Sequence, residues 1–276
     1  MAMAIVALLA LSALRAPSAS AATTWTATTA PLGGLSPAAN PLVSFGYAVS
    51  GMATEPVSCP ASGTCVAVGH YIDSAGHQQG LIESLAGGTW TAAVAPLAGL
   101  SPAAATDPAV WFYALSCPVA GWCVATGSYF DVNGDQQGLI ETLSSGTWTA
   151  QTAPLTGLSD AAGYNPTMDL QDVSCPATGS CVAVGFYDTS SPAGLAAVIE
   201  TLSAGTWTAT TAPGTGSQLA AGSLYGVSCP ATGWCVAVGQ IWTSTGGSSA
   251  VTEYTALIET LSGGGWAEQT APMSGL

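Results

Sequence analysis

The chain has 276 residues, and its one Lys or Arg residue, Arg15, stands against fifteen Asp and Glu residues, a formal net charge of −14 at pH 7. So few cations exclude functions that neutralise phosphates or carboxylates with Lys and Arg. These include binding of nucleic acids, binding of anionic membrane surfaces, and enzymes that clamp such groups. Because 49% of the residues are apolar and 6% are charged, the chain can bury a core and is not a disordered polyelectrolyte.

The first residues have the pattern of a secretory signal peptide. An apolar run from Ala4 to Leu14 is too short to span a bilayer. Small residues follow it, with an Ala-x-Ala match at Ala19 and Ala21. The pattern predicts a signal peptide at residues 1–22 and a secreted protein, extracellular or at the cell surface. No other segment is apolar enough to predict membrane insertion.

The remaining residues, 23–276, are predicted to form a single repeat domain. A lone copy of the last block of the repeat, with a linker, occupies residues 23–42. Four full units follow, and the first cysteines of successive units are 58, 58 and 54 residues apart. The predicted units are residues 43–96, 97–154, 155–213 and 214–276. A period of this length is typical of repeat folds such as propellers.

Each unit contains blocks that predict four short strands, named A to D. Strand A ends in Ser-Cys-Pro, strand B reads Cys-Val-Ala-x-Gly, and strand C reads x-Ile-Glu-x-Leu. Strand D begins with Thr-Trp-Thr-Ala in three of the units. The blocks are rich in Val, Ile, Thr and aromatic residues and are separated by Gly, Pro and Ser, and none of them has helical periodicity.

The cysteines occur as four pairs with identical C-x5-C spacing. The repetition favours one disulfide per unit, joining strands A and B: Cys59–Cys65, Cys117–Cys123, Cys175–Cys181 and Cys229–Cys235. A metal site is the alternative. This spacing is not usual for zinc, and the two histidines, His70 and His77, occur in one unit only, so no metal is predicted at the cysteines.

These features predict an all-β fold. Four antiparallel strands repeated every 50–60 residues or so indicate a β-propeller of four four-stranded blades, each with a disulfide-clipped A–B hairpin, or a fragment of a larger propeller. A β-solenoid is the alternative, but its coils are shorter and have no need of a disulfide hairpin in each one.

The pattern VSCPATGxCVAVG…LIETLSxGTW…AP resembles a repeat family of secreted proteins from high-GC Gram-positive bacteria. The resemblance covers residues 24–276 and implies a β-propeller-like fold without a settled activity. In that family a Glu often stands in the block before Trp as Glu-Arg-Trp-Asn-Gly. This chain keeps that Glu but not the Arg-Trp, and the matching residues are Glu83, Glu141, Glu200 and Glu259.

A more distant resemblance is to the Asp-box of sialidase-like propellers, Ser-x-Asp-x-Gly-x-Thr-Trp. The segment from Thr142 to Trp148 is one residue shorter and has no Asp. The resemblance implies a tight C–D hairpin whose Trp packs between blades, which is a feature of the fold and not of a site.

The loops that vary between units are predicted to share one end of the domain. In a four-stranded meander the A–B and C–D turns lie at one end, and the B–C and D–A loops lie at the other, where function is usually carried. Aromatic rings, carboxylates and amides without cations suit neutral sugars. The alternative is that the tyrosines only seal the blade ends. The candidate binding residues are Tyr71, Asp73, Trp111, Tyr129, Asp131, Tyr187, Asp188 and Trp242, and the D–A loops add Tyr47, Asp107, Tyr113, Asp160, Tyr164 and Asp169.

The strand-C glutamates admit three interpretations. They ring a central channel and bind a cation, or they accept hydrogen bonds from backbone or Ser/Thr groups, or they face solvent by alternation along the strand. A structural role is favoured, because strand C is not the innermost strand of a blade.

One B–C loop has the spaced oxygen ligands of a calcium loop, at Asp131, Asn133 and Asp135. No acidic residue follows at the bidentate position. Asn-Gly between two strands is also a strong hairpin signal, so a turn is favoured over calcium, and no cofactor is expected.

The favoured function is a secreted, non-catalytic module for binding or scaffolding, with a neutral extracellular or cell-wall polysaccharide or another surface protein as partner. One alternative is a glycoside hydrolase or lyase that uses carboxylates alone, such as Asp131 with Asp188. A sialidase is excluded, because its arginines are missing. A purely structural surface protein is the third hypothesis. No Ser-His-Asp arrangement, phosphate loop or dinucleotide motif is present.

Overall fold

The computed structural model describes residues 28–45, 56–100, 107–158, 167–189, 194–215, 220–244 and 251–270. The signal-peptide prediction lies outside these residues, as do Tyr47, Asp160 and Tyr164 of the D–A loops. Within the described ranges the protein is all-β, as predicted, and its strands form four antiparallel sheets. Each sheet corresponds to one repeat unit and is called a blade below.

In blade 1 the first strand is divided into two pieces, β1 (Val43–Phe45) and β2 (Val57–Ala61), which both pair with β3 (Thr64–Ile72). The blade continues with β4 and β5 in the order A-B-C-D. Its last two strands are β4 (Gln78–Ala86) and β5 (Thr89–Val94).

Blades 2 to 4 each have four strands in the same order. Blade 2 is β6 (Trp111–Val119), β7 (Trp122–Phe130), β8 (Gln136–Ser144) and β9 (Thr147–Thr152). Blade 3 is β10 (Met168–Ala177), β11 (Ser180–Asp188), β12 (Leu195–Ser203) and β13 (Thr206–Thr211). Blade 4 is β14 (Ala220–Ala231), β15 (Trp234–Ser244), β16 (Val251–Ser262) and β17 (Gly265–Thr270).

The four predicted disulfides are confirmed, and each joins strands A and B of its own blade. Their Cα–Cα separations lie between 4.0 and 4.2 Å. Strands A and B are joined by a two-residue turn and therefore lie close together, which places the two cysteines within bonding range. Because disulfides persist in oxidising compartments, the four bridges indicate an extracytoplasmic environment.

The blades stack in chain order in a propeller-like arrangement. Strand A of each later blade packs on the blade before it: β6 contacts β2 and β3, β10 contacts β6, β7 and β8, and β14 contacts β10, β11 and β12. Successive A strands therefore contact one another, while the main contacts of strand D are with its own strand C. Strand A is the innermost strand, as in a propeller.

Every blade has two faces of different composition, because side chains alternate across a strand. The glutamate face carries the strand-C Glu, and the valine face carries the Val and Ile residues of strands B and C. Between blades 1 and 2, Val66, Val68 and Ile82 of one valine face pack against the next glutamate face. The same arrangement recurs at the next two interfaces. In blades 2 to 4 the Trp of the Gly-Thr-Trp or Gly-Gly-Trp turn packs there too, as predicted: Trp148, Trp207 and Trp266.

The Ser of each Ser-Cys-Pro block links its blade to the next one. Ser58 Oγ accepts a hydrogen bond from the Cys117 backbone N–H at 3.1 Å. The equivalent bonds, Cys175 N–H to Ser116 Oγ and Cys229 N–H to Ser174 Oγ, both measure 3.0 Å. The motif therefore clips each blade internally through Cys and joins successive blades through Ser.

Substituting Ser116→Ala is expected to lower the free energy of unfolding by about 1 kcal/mol, because the partly buried N–H of Cys175 loses its acceptor. Chemical denaturation of the oxidised protein measures the change. Ser144→Ala, at an exposed position of the same blade, is the control and should leave stability unchanged. Equal stabilities for wild type and Ser116→Ala would contradict the role of this bond.

Candidate functional site

The two ends of each blade differ as strand parity predicts. The A–B and C–D turns lie at one end, named the disulfide end, and the B–C connections lie at the other, named the variable end. The candidate binding residues of the B–C loops all lie at or near the variable end.

The three tyrosines proposed to bind a ligand are not surface residues. Tyr71, Tyr129 and Tyr187 are 2%, 0% and 0% exposed. The hydroxyls of Tyr129 and Tyr187 hydrogen-bond to Thr152 and Thr211 of strand D, each at 2.6 Å. Burial raises the pKa of Tyr71 and Tyr129. Stacking on a sugar needs an open ring face, which these buried rings do not offer. Their burial agrees with the alternative interpretation, in which the tyrosines seal the blade ends.

Two of the candidate carboxylates hold their own turns together. Asp131 Oδ1 accepts hydrogen bonds from the backbone N–H groups of Asn133 at 2.8 Å and Asp135 at 3.0 Å. Asp73 Oδ1 does the same with Ala75 and His77, both at 2.9 Å. These are the Asx-type bonds that stabilise tight turns.

The bonds that hold the Asp73 turn lower the pKa of that carboxyl group, the one from the His77 backbone most. At Asp131 the observed geometry is that of the favoured hairpin turn. Binding of calcium by Asp131, Asn133 and Asp135 stays a prediction that would compete with these bonds.

Two other aromatic candidates in the described residues lie near the variable ends of strands A and B. Trp111 packs edge-on against the buried His70, with ring centroids 4.6 Å apart, and burial lowers the pKa of that histidine. Trp242 is half-buried and pairs with Tyr254 at 6.4 Å between centroids. Tyr254 is 67% exposed. Trp111 and Trp242 are both half-buried, and Trp242 has the exposed ring of Tyr254 beside it.

The strongest polar cluster at the variable end joins blades 2 and 3. Asp169 Oδ1 accepts hydrogen bonds from the Tyr113 hydroxyl at 3.1 Å and from Gln136 Nε2 at 2.6 Å. Ser128 Oγ contacts the same two groups, at 3.3 and 3.2 Å. Tyr113, Ser128, Gln136 and Asp169 are named the interblade polar cluster. Sequence reasoning placed Tyr113 and Asp169 at this end and missed Ser128 and Gln136.

The pKa of Asp169 is raised, mainly by burial and further by the charge of Asp188, while its hydrogen bonds with Ser128, Tyr113 and Gln136 act in the opposite direction. Asp188 itself is half-buried. The cluster contains hydroxyl, amide and carboxyl groups and no cation. Tyr113, Ser128 and Asp169 are 7%, 0% and 9% exposed and Gln136 is half-buried, so Gln136 is its most accessible member.

A β-bulge in strand A positions the cluster. The register of strand A against strand B shifts at Tyr113, Gln171 and Tyr225, so one extra residue is inserted in the innermost strand of blades 2 to 4. In blade 4 the Tyr225 hydroxyl accepts a hydrogen bond from Gln240 at 2.7 Å. Bulges re-aim side chains and are frequent beside functional sites. The position four residues before each first cysteine is polar in every unit, and this is the sequence signal that could have revealed the bulge.

The strand-C glutamates lie on the glutamate faces and are buried, with 0–1% of their surface exposed. The interpretation that they face solvent is wrong, because in blades 2 to 4 the valine face of the previous blade covers the face on which they lie. Among the described residues no group donates a hydrogen bond to any of these carboxyls, so the hydrogen-bonded interpretation is not supported either. Glu141, Glu200 and Glu259 lie on the glutamate faces of three different blades.

Burial raises the pKa of all four groups. The pKa rises to about 7 for Glu83, about 8 for Glu141 and about 9 for Glu200. For Glu259 burial, and then the charge of Glu268, raise it to about 7. A carboxyl group in an apolar interface retains its proton because ionisation would place an unpaired charge there.

Comparison with protein-family models and with curated proteins found no match to this chain. Among the described residues no group of three or more His, Cys, Asp or Glu side chains is placed to hold a metal ion. Within the same ranges no helix has the length and apolarity required to cross a membrane.

Proposed function

We propose that the protein is a secreted, non-catalytic propeller-like module that binds neutral glycans of the cell wall or extracellular matrix at its variable end. The interblade polar cluster carries this proposal. It gathers hydroxyl, amide and carboxyl groups from two blades on a rigid, disulfide-clipped framework. The signal-like residues 1–22 and the four disulfides support secretion.

The chemistry of the cluster favours a neutral ligand. Sugar hydroxyls both donate and accept hydrogen bonds, and the cluster offers both kinds of partner. The net charge of −14 disfavours an anionic ligand. The half-buried Trp242 beside the exposed Tyr254 would add an apolar surface at the same end of the domain.

Screening of the oxidised mature chain on an array of neutral glycans tests the proposal. Tyr113→Phe is expected to weaken binding about tenfold, because the Asp169 carboxyl group loses the hydroxyl that holds it in position while the ring stays in place. Val119→Thr, at the exposed tip of an A–B hairpin at the disulfide end, should bind like wild type. Melting curves confirm that both variants fold. A wild-type protein that binds no neutral glycan would overturn the proposal.

A second candidate function rests on the interaction between Asp169 and Asp188. Two carboxyl groups, one with a raised pKa, are the equipment of a glycoside hydrolase that needs no cation. In this pair Asp169 would be the acid and Asp188 the base. The other candidate, Asp131, is engaged in its own turn. Turnover of a neutral glycoside that is lost in both Asp169→Asn and Asp188→Asn would favour the enzyme over the binding module.

A further inference from the structure

Among the described residues no other blade covers the glutamate face of blade 1. Phe45, Val57 and Val94 lie on this face and are 43%, 54% and 41% exposed. Leu115 and Val173, which are equivalent to Val57 in blades 2 and 3, are 4% and 5% exposed because the previous blade covers them. The face therefore has the composition of a buried surface and the exposure of an open one.

The valine face of blade 4 is open in the same way. Val238 is 48% exposed, whereas its equivalents Val68 and Val184 are completely buried against the following blade. Tyr254, on the same face as Val238, is 67% exposed. The two open faces are complementary in type, since each internal interface joins one valine face to one glutamate face.

The Ser–Cys hydrogen bond that links successive blades also has one exposed partner in blade 1 and one in blade 4. The Ser residue of blades 1 to 3 accepts a hydrogen bond from the Cys N–H of the next blade. The corresponding Ser228 of blade 4 is exposed, and Cys59 of blade 1 is exposed, whereas the other three first cysteines are buried. A contact between the two open faces would form a fourth link of the same kind.

A cavity marks the place where a neighbouring valine face would insert. It measures about 310 Å³ and is lined by Phe45, Val57, Glu83 and Trp90 of blade 1 together with Thr28 to Pro31. At the interface of blades 1 and 2, the linker residues Ala95 and Leu97 pack beside Val66, Val68 and Ile82. Residues 30–32 repeat this Ala-Pro-Leu linker. The glutamate face of blade 1 therefore has the linker segment of an interblade interface, but not the Val and Ile side chains that a neighbouring blade would supply.

We propose that the valine face of blade 4 docks on the glutamate face of blade 1 of a second copy of this chain. The interface is heterologous, so two copies close into a ring only if each supplies one face of each kind. Such a ring has eight blades, which lies within the range of known propellers. In this arrangement the Ser228 hydroxyl oxygen of one copy accepts a hydrogen bond from the Cys59 backbone N–H of the other. Docking would cover Trp242 and Tyr254, which lie on this valine face, but not the interblade polar cluster, which belongs to blades 2 and 3.

Light scattering coupled to size-exclusion chromatography of the oxidised mature chain tests the proposal. Wild type is expected at twice the chain mass. Val57→Glu and Val238→Glu each place a charge in both joins of the ring and should run at the chain mass. An equimolar mixture of the two variants should regain a species of twice the chain mass, because one unmodified join remains between them. Val132→Glu, at an exposed B–C turn outside both faces, is the control and should behave like wild type.

Each other outcome overturns the proposal. A monomeric wild type at the highest soluble concentration means that a second copy does not bind the open faces. A dimer that survives Val57→Glu but not Val238→Glu indicates contact between two blade-4 faces. Failure of the mixture to associate, with both variants shown to be folded by their melting curves, excludes the head-to-tail geometry. Open filaments exclude the closed ring.

Discussion

Raising the pH from about 5 to about 8 is expected to lower the melting temperature of the protein by roughly 10 °C or more. The reason is the set of buried glutamic acids between the blades. Burial raises the pKa to about 8 for Glu141 and about 9 for Glu200. The folded protein therefore holds protons that the unfolded chain has released.

The direction of the effect follows from the proton balance. Below the ordinary Glu pKa of about 4.5 both states are protonated, so these groups do not affect the unfolding equilibrium. Above it the unfolded chain ionises first. The free energy of unfolding then falls by up to about 1.4 kcal/mol per pH unit for each such group. The decline ends when the pH passes the raised pKa of the folded state, at about 8 for Glu141 and about 9 for Glu200.

Glu→Gln substitutions isolate this contribution. The Glu141→Gln/Glu200→Gln variant is expected to match wild type near pH 5 and to be clearly more stable near pH 8, because Gln resembles the neutral acid and cannot ionise. Glu253→Gln, at an exposed position, is the control and should keep the wild-type profile. The lowered pKa of buried His70 acts in the opposite direction around its own titration, and comparing variant with wild type removes that effect.

Two results would contradict the role of the buried acids. One is a wild-type melting temperature that is constant or rises between about pH 5 and 8. The other is a double variant that loses stability with pH as steeply as wild type. Either result would mean that the carboxyls of Glu141 and Glu200 find partners or water when they ionise.

The fold followed from the sequence because its signals are repeated four times. Four C-x5-C pairs, four Gly-x-Trp or equivalent turns and four Val-rich strands predict the same four strands in each unit, so an error in one unit would conflict with the others. The disulfides, strand order and interblade Trp residues were all predicted in this way.

The candidate site was less predictable, because the repeat does not determine what lies between two blades. Tyr129 looked like a ligand-binding ring in the sequence, yet its neighbour in space is Thr152 of the same blade. The bond between Tyr113 and Asp169 spans 56 residues and depends on a bulge. The burial of Glu200 depends on the valine face of a different blade. Strand alternation assigns a residue to a face but does not say what covers that face.

Substituting Gly185→Ala is expected to destabilise the protein by about 3 kcal/mol or more. A Cβ at this strand-B position would overlap the backbone carbonyl oxygen of Asp169 and approach the Cα of Leu170. The equivalent Gly69, Gly127 and Gly239 are confined in the same way by strand A. Strand A passes this close to strand B in every blade, so the Gly that ends each Cys-Val-Ala-x-Gly block is required for space.

Gly265→Ala is the matched control for this substitution. It also lies in a strand, but a Cβ added there would have no neighbouring atom within 4 Å, and Thr occupies the equivalent place in the other blades, at Thr89, Thr147 and Thr206. Its stability by chemical denaturation should stay near that of wild type. A Gly185→Ala protein as stable as this control would show that strand A can move away from strand B.

Comparing Gly185→Ala with Gly239→Ala also distinguishes an effect on the packing of strand A from an effect on the glycan binding proposed for the interblade polar cluster. Asp169 is both the residue whose carbonyl faces Gly185 and the acceptor of the Tyr113 and Gln136 hydrogen bonds. Movement of strand A that relieves the overlap would displace this carboxyl group, so Gly185→Ala should weaken glycan binding even at temperatures where it is folded. Gly239→Ala, confined at the same position in blade 4, should lose similar stability without that binding loss, because the cluster belongs to blades 2 and 3.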